Sequence, residues 1–465
     1  MIKKYLILGT LPLLFACTEE NTSENPLLSV SANGAALPYS VMDVSLLDTD
    51  SNSIELRNGG YGSGAAINPK NPQQFFALTD RGPNGDYVDG ELGEGKIFPV
   101  VDYTPRIGLF EIRDGAAVKI KDILLRDRNG NPVTGLPNSA NLGGTGEIPY
   151  HTDLTPILVD DSKAYDAETN PVKLDDYGID SEGLAAMKDG TFWVSDEYGP
   201  HMVHFDANGK EIDRINPFSN DTRTSCNLPA EFKKRRANRG MEGLAVTPDQ
   251  NTLVGIMQSA MYNPDKSVKK TDITRIVAVS LGDCTIRQYL YRQDQQGLSN
   301  SEIVALNNDT FIVIERDGDY LADNAASVKK VYKITLSSGT NLEAVNAMGT
   351  SQDANTGLMV GGKTLEQVVF GSDGKNLDAG WQQLAGLNIT PVSKSLVVDM
   401  AAKGYAHDKM EGLVVIDEHH LGILNDDDFA MGSNENGTLF QKYLPGADID
   451  GNVFYVVDAD LSVKE

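Results

Sequence analysis

The triplet Glu182-Gly183-Leu184 returns 60 residues later as Glu242-Gly243-Leu244, and it appears again as Glu411-Gly412-Leu413. Another 60 residues after the second copy, Glu302-Ile303-Val304 keeps the acid but loses the Gly-Leu pair. Ser63-Gly64-Ala65 resembles a degenerate copy near the start. Because self-similarity at a long, fixed period indicates one supersecondary unit repeated in space, the triplets mark successive copies of such a unit.

Each triplet precedes a short turn and an apolar strand that ends in polar or charged residues, as in residues 192–197 (FWVSDE). Strand and turn signals dominate, and long helical periodicity is missing from the sequence. At roughly 45–70 residues per four-stranded blade, the chain predicts a single all-β domain over residues 37–465, a six-bladed β-propeller. The most divergent copy is expected within residues 330–400, and residues 453–457 are expected to close the ring. A β-helix coil is too short for this period, and a double β-sandwich gives no reason for equivalent carboxylates.

Two kinds of insertion interrupt this strand pattern. Brief helices are predicted at residues 229–238 and 379–387. Long loops at residues 82–99 and 127–173 are rich in Gly, Asp, Asn and Pro. Long loops on a compact scaffold commonly carry function, so we expect these two to border a site.

The N-terminus predicts export. Residues 1–17 have two lysines, a short apolar stretch and the end Leu-Phe-Ala-Cys, which together are typical of a lipoprotein signal peptide with Cys17 as the lipid acceptor. The alternative is a plain secretory signal cut near Ala16. Residues 18–36 are expected to be a flexible acidic tether. The predicted location is the bacterial cell envelope, periplasmic or at the cell surface, with membrane contact only through the lipid anchor.

Two further cysteines, Cys226 and Cys284, stand nearly one repeat apart. In an oxidising compartment a disulfide between neighbouring units is one interpretation, and two free thiols are the other.

The charge balance limits the partners. The chain carries 66 acidic against 40 basic residues, a formal net charge of −26, which argues against nucleic acid or an anionic bilayer surface. Solubility accounts for most of this acidity. Neither a G-x-S-x-G elbow nor an H-E-x-x-H motif occurs in the sequence, so a serine hydrolase of that type and a zinc site lack support.

A carboxylate kept at the same place in each unit predicts that several carboxylates converge at one mouth of the channel. Converging carboxylates repel one another unless they bind cations or shift their pKa values. Such hard oxygen ligands suit Ca²⁺, with Mg²⁺ or Mn²⁺ as alternatives. The alternative role for each glutamate is to cap a backbone amide in a recurring turn. The predicted metal ligands are Asp80, Glu182, Asp196, Glu242, Glu411 and Asp426.

Cationic residues stand beside the acids, which fits a small phosphate ester held between metal ions and cationic side chains. Arg81, Arg239 and Lys409 are the predicted phosphoryl clamps, and ordinary ion pairs are the alternative. The predicted nucleophile is a water activated by the cation, and Glu197 or Glu315 would take its proton.

Four strings then carry a family resemblance: residues 80–83 (DRGP), 195–200 (SDEYGP), 240–245 (GMEGLA) and 409–413 (KMEGL), the last followed by 425–429 (NDDDF). In this order they resemble the phytase-like family, also described as esterase-like activity of phytase. The resemblance covers roughly residues 40–460 and implies a secreted or envelope β-propeller with phosphoesterase activity.

The predicted function is therefore Ca²⁺-dependent hydrolysis of a phosphate ester by a monomer. Two other classes stay open: a non-enzymatic binding propeller with structural Ca²⁺, and a lactonase-type propeller hydrolase.

Overall fold

The computed structural model describes residues 25–446 and 448–463. In those residues the strands are, in chain order, β1 (Ala35–Ala36), β2 (Gly64–Ile67), β3 (Gln74–Leu78), β4 (Gly85–Tyr87), β5 (Gly95–Ile97), β6 (Arg106–Arg113), β7 (Ala116–Leu124), β8 (Ile148–Tyr150), β9 (Ser181–Ala186), β10 (Phe192–Asp196), β11 (His201–Phe205), β12 (Glu211–Asn216), β13 (Thr224–Asn227), β14 (Met241–Val246), β15 (Thr252–Met257), β16 (Ile273–Ser280), β17 (Ile286–Arg292), β18 (Ser299–Ala305), β19 (Thr310–Arg316), β20 (Lys329–Thr335), β21 (Thr350–Asp353), β22 (Gly357–Val360), β23 (Lys363–Thr364), β24 (Ser393–Asp399), β25 (Gly412–Asp417), β26 (His420–Leu424), β27 (Met431–Ser433), β28 (Leu439–Gln441) and β29 (Val453–Asp458).

Helices are few and short. The α-helices of the described chain are α1 (Leu365–Phe370) and α2 (Leu377–Ala385). Its 3₁₀ helices are Pro26–Ser29, Ala140–Leu142, Ala230–Lys234, Lys266–Val268, Leu336–Ser338, Leu342–Ala344, Ala401–Lys403 and Asp428–Ala430. Among the helices in this part of the chain, none is both long and apolar enough to cross a bilayer.

Five sheets of four or five strands make up the body of the molecule. Their orders are β2-β3-β6-β7, β9-β10-β11-β12-β13, β14-β15-β16-β17, β18-β19-β20-β24 and β25-β26-β29-β1. The first strand of each sheet contacts the first strand of the next sheet, and β25 contacts β2, so these inner strands form a ring. Radial sheets around a central axis are the arrangement of a β-propeller.

The prediction of six blades is not confirmed, because residues 25–446 and 448–463 form five sheets of this kind. The copy expected within residues 330–400 is replaced by an insertion between β20 and β24, which holds α1, α2 and the small sheet β21-β22-β23. Apolar side chains of the two helices, including Val369 and Trp381, pack against Ile273 and Leu290 of the third sheet. The insertion therefore covers the side of the ring and adds no unit to it.

The two predicted helices have different outcomes. Residues 379–387 overlap α2, whereas residues 229–238 form only the 3₁₀ turn Ala230–Lys234. Helix α1 was not predicted; it begins with a capping box in which Thr364 and Gln367 exchange side-chain and backbone hydrogen bonds.

The glycine of the repeated triplet is required by the closeness of the inner strands. A Cβ atom at Gly183 would lie 2.5 Å from the backbone nitrogen of Leu244, and one at Gly243 would lie 2.5 Å from that of Ile303. Because a side chain cannot fit at that distance, only glycine lets consecutive inner strands pack this tightly around the axis.

The chain closes its ring by pairing its two ends. Ala35 in β1 pairs with Phe454 in β29, so that the sheet begun by β25 ends with the N-terminal strand. Leu27 is fully buried in the core formed with the first and last sheets. Within the predicted tether, Leu27 and Ala35 are therefore buried, whereas residues 28–29 and 31–33 are exposed. Residues 1–24, with the predicted signal peptide and Cys17, lie outside the described residues.

Cys226 and Cys284 form a disulfide with a Cα–Cα distance of 5.7 Å. It joins β13 of the second sheet to the turn between β16 and β17 of the third, which decides between the two alternatives left open by the sequence.

We expect loss of this disulfide to lower the free energy of unfolding by about 3 kcal/mol, since it restricts the unfolded chain over a separation of 58 residues. Urea unfolding of the native protein and of a Cys284→Ser variant measures the difference. A reductant should shift the midpoint of the native protein and leave that of the variant where it is. Equal urea midpoints for the native protein and the variant, both without reductant, would contradict the prediction.

Candidate metal and phosphate site

A charged cavity of about 620 Å³ opens at the end of the ring where the inner strands begin. Its lining contains most of the residues that the sequence predicted for the site: Asp80, Arg81, Glu182, Glu197, Arg239, Glu242, Lys409, Glu411 and Asp426. The first predicted functional loop, residues 82–99, also borders it, through Asn84, Asp86, Glu94 and Lys96, whereas the second loop, residues 127–173, contributes no lining residue. A charged cavity of this composition is suited to small polar ligands.

Hairpin geometry explains why acids from different parts of a repeat meet here. Glu182 and Glu242 are each the second residue of an inner strand, whereas Asp80 and Glu197 follow the second strand of a sheet. In an antiparallel hairpin the end of the second strand lies beside the start of the first, as the pairing of Asp196 with Ser181 shows. Three of the repeats therefore deliver two polar positions each to the same mouth, namely Glu182 with Glu197, Glu242 with Gln258, and Glu411 with Asp426.

The first group of acids consists of Asp80, Asp180 and Glu182. Each offers a carboxylate oxygen, these oxygens lie within 4.8 Å of one another, and all three residues are buried. Burial raises the pKa of Asp180 to about 7, even though Arg81 opposes the shift. Both oxygens of Asp180 lack a hydrogen-bond donor in the described structure, and Arg81 Nε lies 3.1 Å from one of them without donating to it. Unpartnered buried oxygens of this kind are uncommon in proteins, and a cation would satisfy them.

The second group shares Glu182 with the first and adds Glu197 and Glu242, again with oxygens within 4.8 Å. The side-chain amide of Gln258 donates to Glu197 at 2.8 Å and to Glu242 at 2.9 Å, which holds these two carboxylates side by side. Burial, and after it the carboxylates of Glu242 and Glu197, raises the pKa of Glu182 well above its usual range. Glu182 is thus the carboxylate on which both groups depend.

This donor set fits a hard divalent cation. Ca²⁺ takes six to eight oxygen ligands and accepts irregular geometry, so that carboxylates supplemented by waters and phosphate oxygens suit it. The buried oxygens of Asp180, which accept no hydrogen bond in the described structure, agree with that chemistry. Asp80, Asp180, Glu182, Glu197 and Glu242 are the residues that could hold such an ion.

Two of the three predicted phosphate clamps are already engaged. Arg81 lies 3.1 Å from Asp180 and 3.5 Å from Glu147, and its Nη1 donates to the hydroxyl of Tyr198 at 3.1 Å. Lys409 lies 2.8 Å from Asp426. For these two residues the alternative reading, an intramolecular ion pair, is the one the structure contains.

Lys409 and Asp426 belong to a wider network at this wall of the cavity. Lys409 Nζ lies 2.5 Å from Asp428, and Lys442 Nζ lies 2.6 Å from the other oxygen of Asp428. Asp426 therefore accepts a hydrogen bond from its cationic partner, whereas Asp180 has Arg81 within ion-pair distance but accepts no hydrogen bond. Glu411 likewise accepts from Arg316, whose Nε also donates to Ser301 at 2.9 Å. Asp426 and Glu411 line the cavity, but their charges are balanced by the chain itself.

Two predicted site residues do not line the cavity. Asp196 is fully buried and accepts backbone N–H bonds from Asp180, Tyr198 and Gly199, so it shapes the turn after β10. Glu315 is also fully buried. It accepts from the Tyr291 hydroxyl at 2.7 Å, the Asp294 amide at 2.7 Å and Lys394 at 2.9 Å. The prediction that Glu315 could take the proton is corrected accordingly, because these partners hold it outside the cavity.

Glu302, from the diverged fourth triplet, has a different role from the other repeated acids. Its Oε1 accepts from the backbone nitrogens of Leu244 at 3.1 Å and Ile303 at 3.0 Å, and its Oε2 lies 3.5 Å from that of Ala65. These donors belong to three different inner strands. Here the glutamate caps backbone amides across the axis of the ring, which was the alternative to metal binding in the sequence.

The predicted set of site residues left out several residues that line the cavity, notably Asp180, Gln258, Arg236, Arg316 and Asp428. Gln258 had a usable signal, since it ends an apolar strand at the position that Asp80 and Glu197 occupy in their repeats. Asp180 stands two residues before Glu182 and has no equivalent acid in the other triplets. Its participation depends on the bend of the chain before β9.

Comparison with known proteins gives a family and distant likenesses. A model of the phytase-like family, described as esterase-like activity of phytase, matches residues 57–429. An uncharacterized secreted protein of Arthroderma benhamiae is 27% identical over 322 residues, which cover 56% of this chain and 59% of that protein. This chain thus spans about three fifths of that relative's length.

Two solved structures match this chain at low similarity. The periplasmic gluconolactonase of Pseudomonas aeruginosa has 9% identity and a TM-score of 0.29, with 92% of this chain and 98% of that chain covered. The PQQ-bound aldose sugar dehydrogenase of Streptomyces coelicolor has 11% identity and a TM-score of 0.31, with 92% and 100% covered. The family model matches residues 57–429, which include the cavity wall formed by Asp426 and Asp428. Because the match covers most of the chain, this chain belongs to the phytase-like family.

Proposed function

We propose that this protein is a cation-dependent phosphoesterase, with Ca²⁺ as the preferred ion and Mg²⁺ or Mn²⁺ as alternatives. The observation that carries the proposal is a pair of buried carboxylate groups sharing Glu182, in one cavity with an arginine, Arg239, whose guanidinium has no carboxylate partner in the described chain. The carboxylates supply the ligands for a cation, and the guanidinium supplies the anion contact that a phosphate ester needs.

In this proposal Glu182 and Asp180, which have no hydrogen-bond donor of their own, hold the ion together with Asp80 and Glu242. When bound, the ion polarises a phosphoryl oxygen and acidifies a water molecule. Glu197 is the proton acceptor, since it lines the cavity beside these ligands and Gln258 fixes its orientation. Arg239 contacts the phosphoryl oxygens. An oxygen–phosphorus bond forms from water, the ester bond breaks, and the leaving alcohol takes up a proton.

Metal analysis joined to an ester assay tests this. The purified protein is analysed for bound metal and assayed on a panel of phosphate esters, then chelated, and then supplied with Ca²⁺, Mg²⁺ or Mn²⁺ in turn. We expect turnover that disappears on chelation and returns with Ca²⁺. Tight metal binding without turnover of any ester would contradict the enzymatic assignment, and a protein without affinity for divalent cations would contradict the site itself.

A second candidate is a binding protein in which the cation has a structural role. It is favoured by the ion pairs of Arg81 and Lys409, which remove two of the three predicted clamps from direct phosphate contact. Cation-dependent thermal stability with no turnover of phosphate esters would select it. Hydrolysis of sugar lactones with phosphate esters inert would select the lactonase-type alternative.

The proposed location is outside the cytoplasm, with Cys17 as a lipid anchor. It is supported by the N-terminal sequence, by the disulfide, which is typical of oxidising compartments, and by the secreted relative. Detergent partitioning of the native protein and of a Cys17→Ser variant tests the anchor.

A further inference from the structure

The cationic side chains of the cavity fall into two classes. Six line it: Arg81, Lys96, Arg236, Arg239, Arg316 and Lys409. Four are paired with carboxylates, namely Arg81 with Asp180 at 3.1 Å, Lys96 with Asp86 at 2.7 Å, Arg316 with Glu411, and Lys409 with Asp426 at 2.8 Å. Within residues 25–446 and 448–463, Arg236 and Arg239 have no carboxylate within ion-pair distance. Their charges remain available to a ligand.

The side-chain contacts of this pair are few. Arg239 Nη1 donates to Ser299 Oγ at 3.2 Å, which orients the guanidinium and leaves its other N–H groups unused. The side chain of Arg236 has no hydrogen-bond partner among the described residues. Burial, and after it the positive charge of Arg236, lowers the pKa of Arg239 below its ordinary value. Two like charges held together in a partly buried place are costly without an anion between them.

A tight turn holds the two arginines together. The backbone nitrogen of Arg239 donates to the carbonyl of Arg236 at 3.1 Å, and Asn238 between them has a φ of 49°. The turn ends immediately before β14, which begins at Met241 and presents Glu242 to the cavity. Because of this connection, both arginines line the same cavity as Glu197 and Glu242.

Resting on the proposed function, we propose that Arg236 and Arg239 form a two-guanidinium clamp that selects phosphate monoesters over diesters. A monoester carries close to two negative charges at neutral pH and matches both arginines. A diester carries one negative charge and would leave the other guanidinium uncompensated in a partly buried position. Planar guanidinium groups also match the oxygens of a terminal phosphoryl group, of which a monoester has three and a diester two.

The test compares p-nitrophenyl phosphate with bis(p-nitrophenyl) phosphate in the calcium-loaded protein and in an Arg236→Gln variant. We expect kcat/KM for the monoester to fall about 10- to 100-fold in the variant, with the diester changed by less than about threefold. Inorganic phosphate binding, followed by calorimetry, should weaken by a similar factor. The matched control is Lys233→Gln, an exposed cation of the same segment that lies against the Phe218 ring outside the cavity. The Lys233→Gln change should leave kcat/KM unchanged for both substrates.

Several outcomes would overturn the clamp: equal losses on monoester and diester, an equal loss in the Lys233→Gln control, or phosphate binding that is independent of Arg236. These outcomes are distinct from failure of the proposed function. In that case the wild-type protein hydrolyses neither ester, while the calorimetric comparison of phosphate binding still decides whether the two arginines bind a dianion.

Discussion

Glu182→Gln is expected to remove most of the divalent-cation affinity and to lower turnover of phosphate esters by about 10²- to 10³-fold. Glu182 is the one residue common to both carboxylate groups, so a neutral amide there removes a ligand from each. The side chain keeps its size, and the described structure gives the Glu182 carboxylate no hydrogen-bond donor to lose. The fold is therefore expected to survive the change.

Calorimetric Ca²⁺ titration and steady-state assays measure this effect. The matched control is Glu418→Gln. The Glu418 side chain is 72% exposed and lies in the turn after β25, at the end of that strand away from Glu411. The Glu418→Gln variant should have the Ca²⁺ affinity and the phosphate-ester turnover of the native protein. If Glu182→Gln retained both native affinity and native kcat, the shared carboxylate would have no part in the site.

Glu302→Ala is expected to lower the free energy of unfolding by about 4 kcal/mol at neutral pH. Removing the carboxylate leaves the backbone N–H groups of Leu244 and Ile303 without an acceptor in a fully buried place, and it opens a cavity on the axis. The exposed acid Glu435 provides the control, since Glu435→Ala should cost less than about 0.5 kcal/mol.

Glu302→Gln is expected to behave differently, because the amide oxygen can accept both of the shorter bonds. Burial raises the pKa of Glu302 well above its usual range, against the opposing effect of the N–H bonds from Ile303 and Leu244. The folded protein then holds this proton more tightly than the unfolded chain does. Stability must fall as the pH rises from about 4.5 towards the folded pKa. The glutamine variant lacks this proton equilibrium.

Urea unfolding between pH 5 and pH 8, with a chelator present throughout, measures both variants. The native protein should lose stability over this range more steeply than Glu302→Gln, which should be the more stable of the two at pH 8. Any pH dependence of stability that remains in the Glu302→Gln variant is due to the other buried carboxylates. Parallel pH profiles for the two proteins would mean that Glu302 is ionised in the fold already at pH 5.

The sequence by itself determined the all-β class, the repeating unit and the family, because these depend on local pattern. Strand alternation and turns are read directly from neighbouring residues, and the repeated glycine marks inner strands whose closeness the distances at Gly183 and Gly243 display. The position of the acids at a common mouth followed from the same repeat.

Tertiary structure alone decided which charges are available. Arg81 and Lys409 have the same local sequence character as Arg239, yet Arg81 is paired with Asp180, which precedes the first strand of the next sheet, and Lys409 is paired with Asp426 across the β25–β26 hairpin. The number of sheets also depended on long-range pairing, since residues 336–392 form an insertion against the third sheet and the N-terminal β1 completes the last one. Ion pairing and burial depend on neighbours brought together by folding, and a linear sequence does not specify those neighbours.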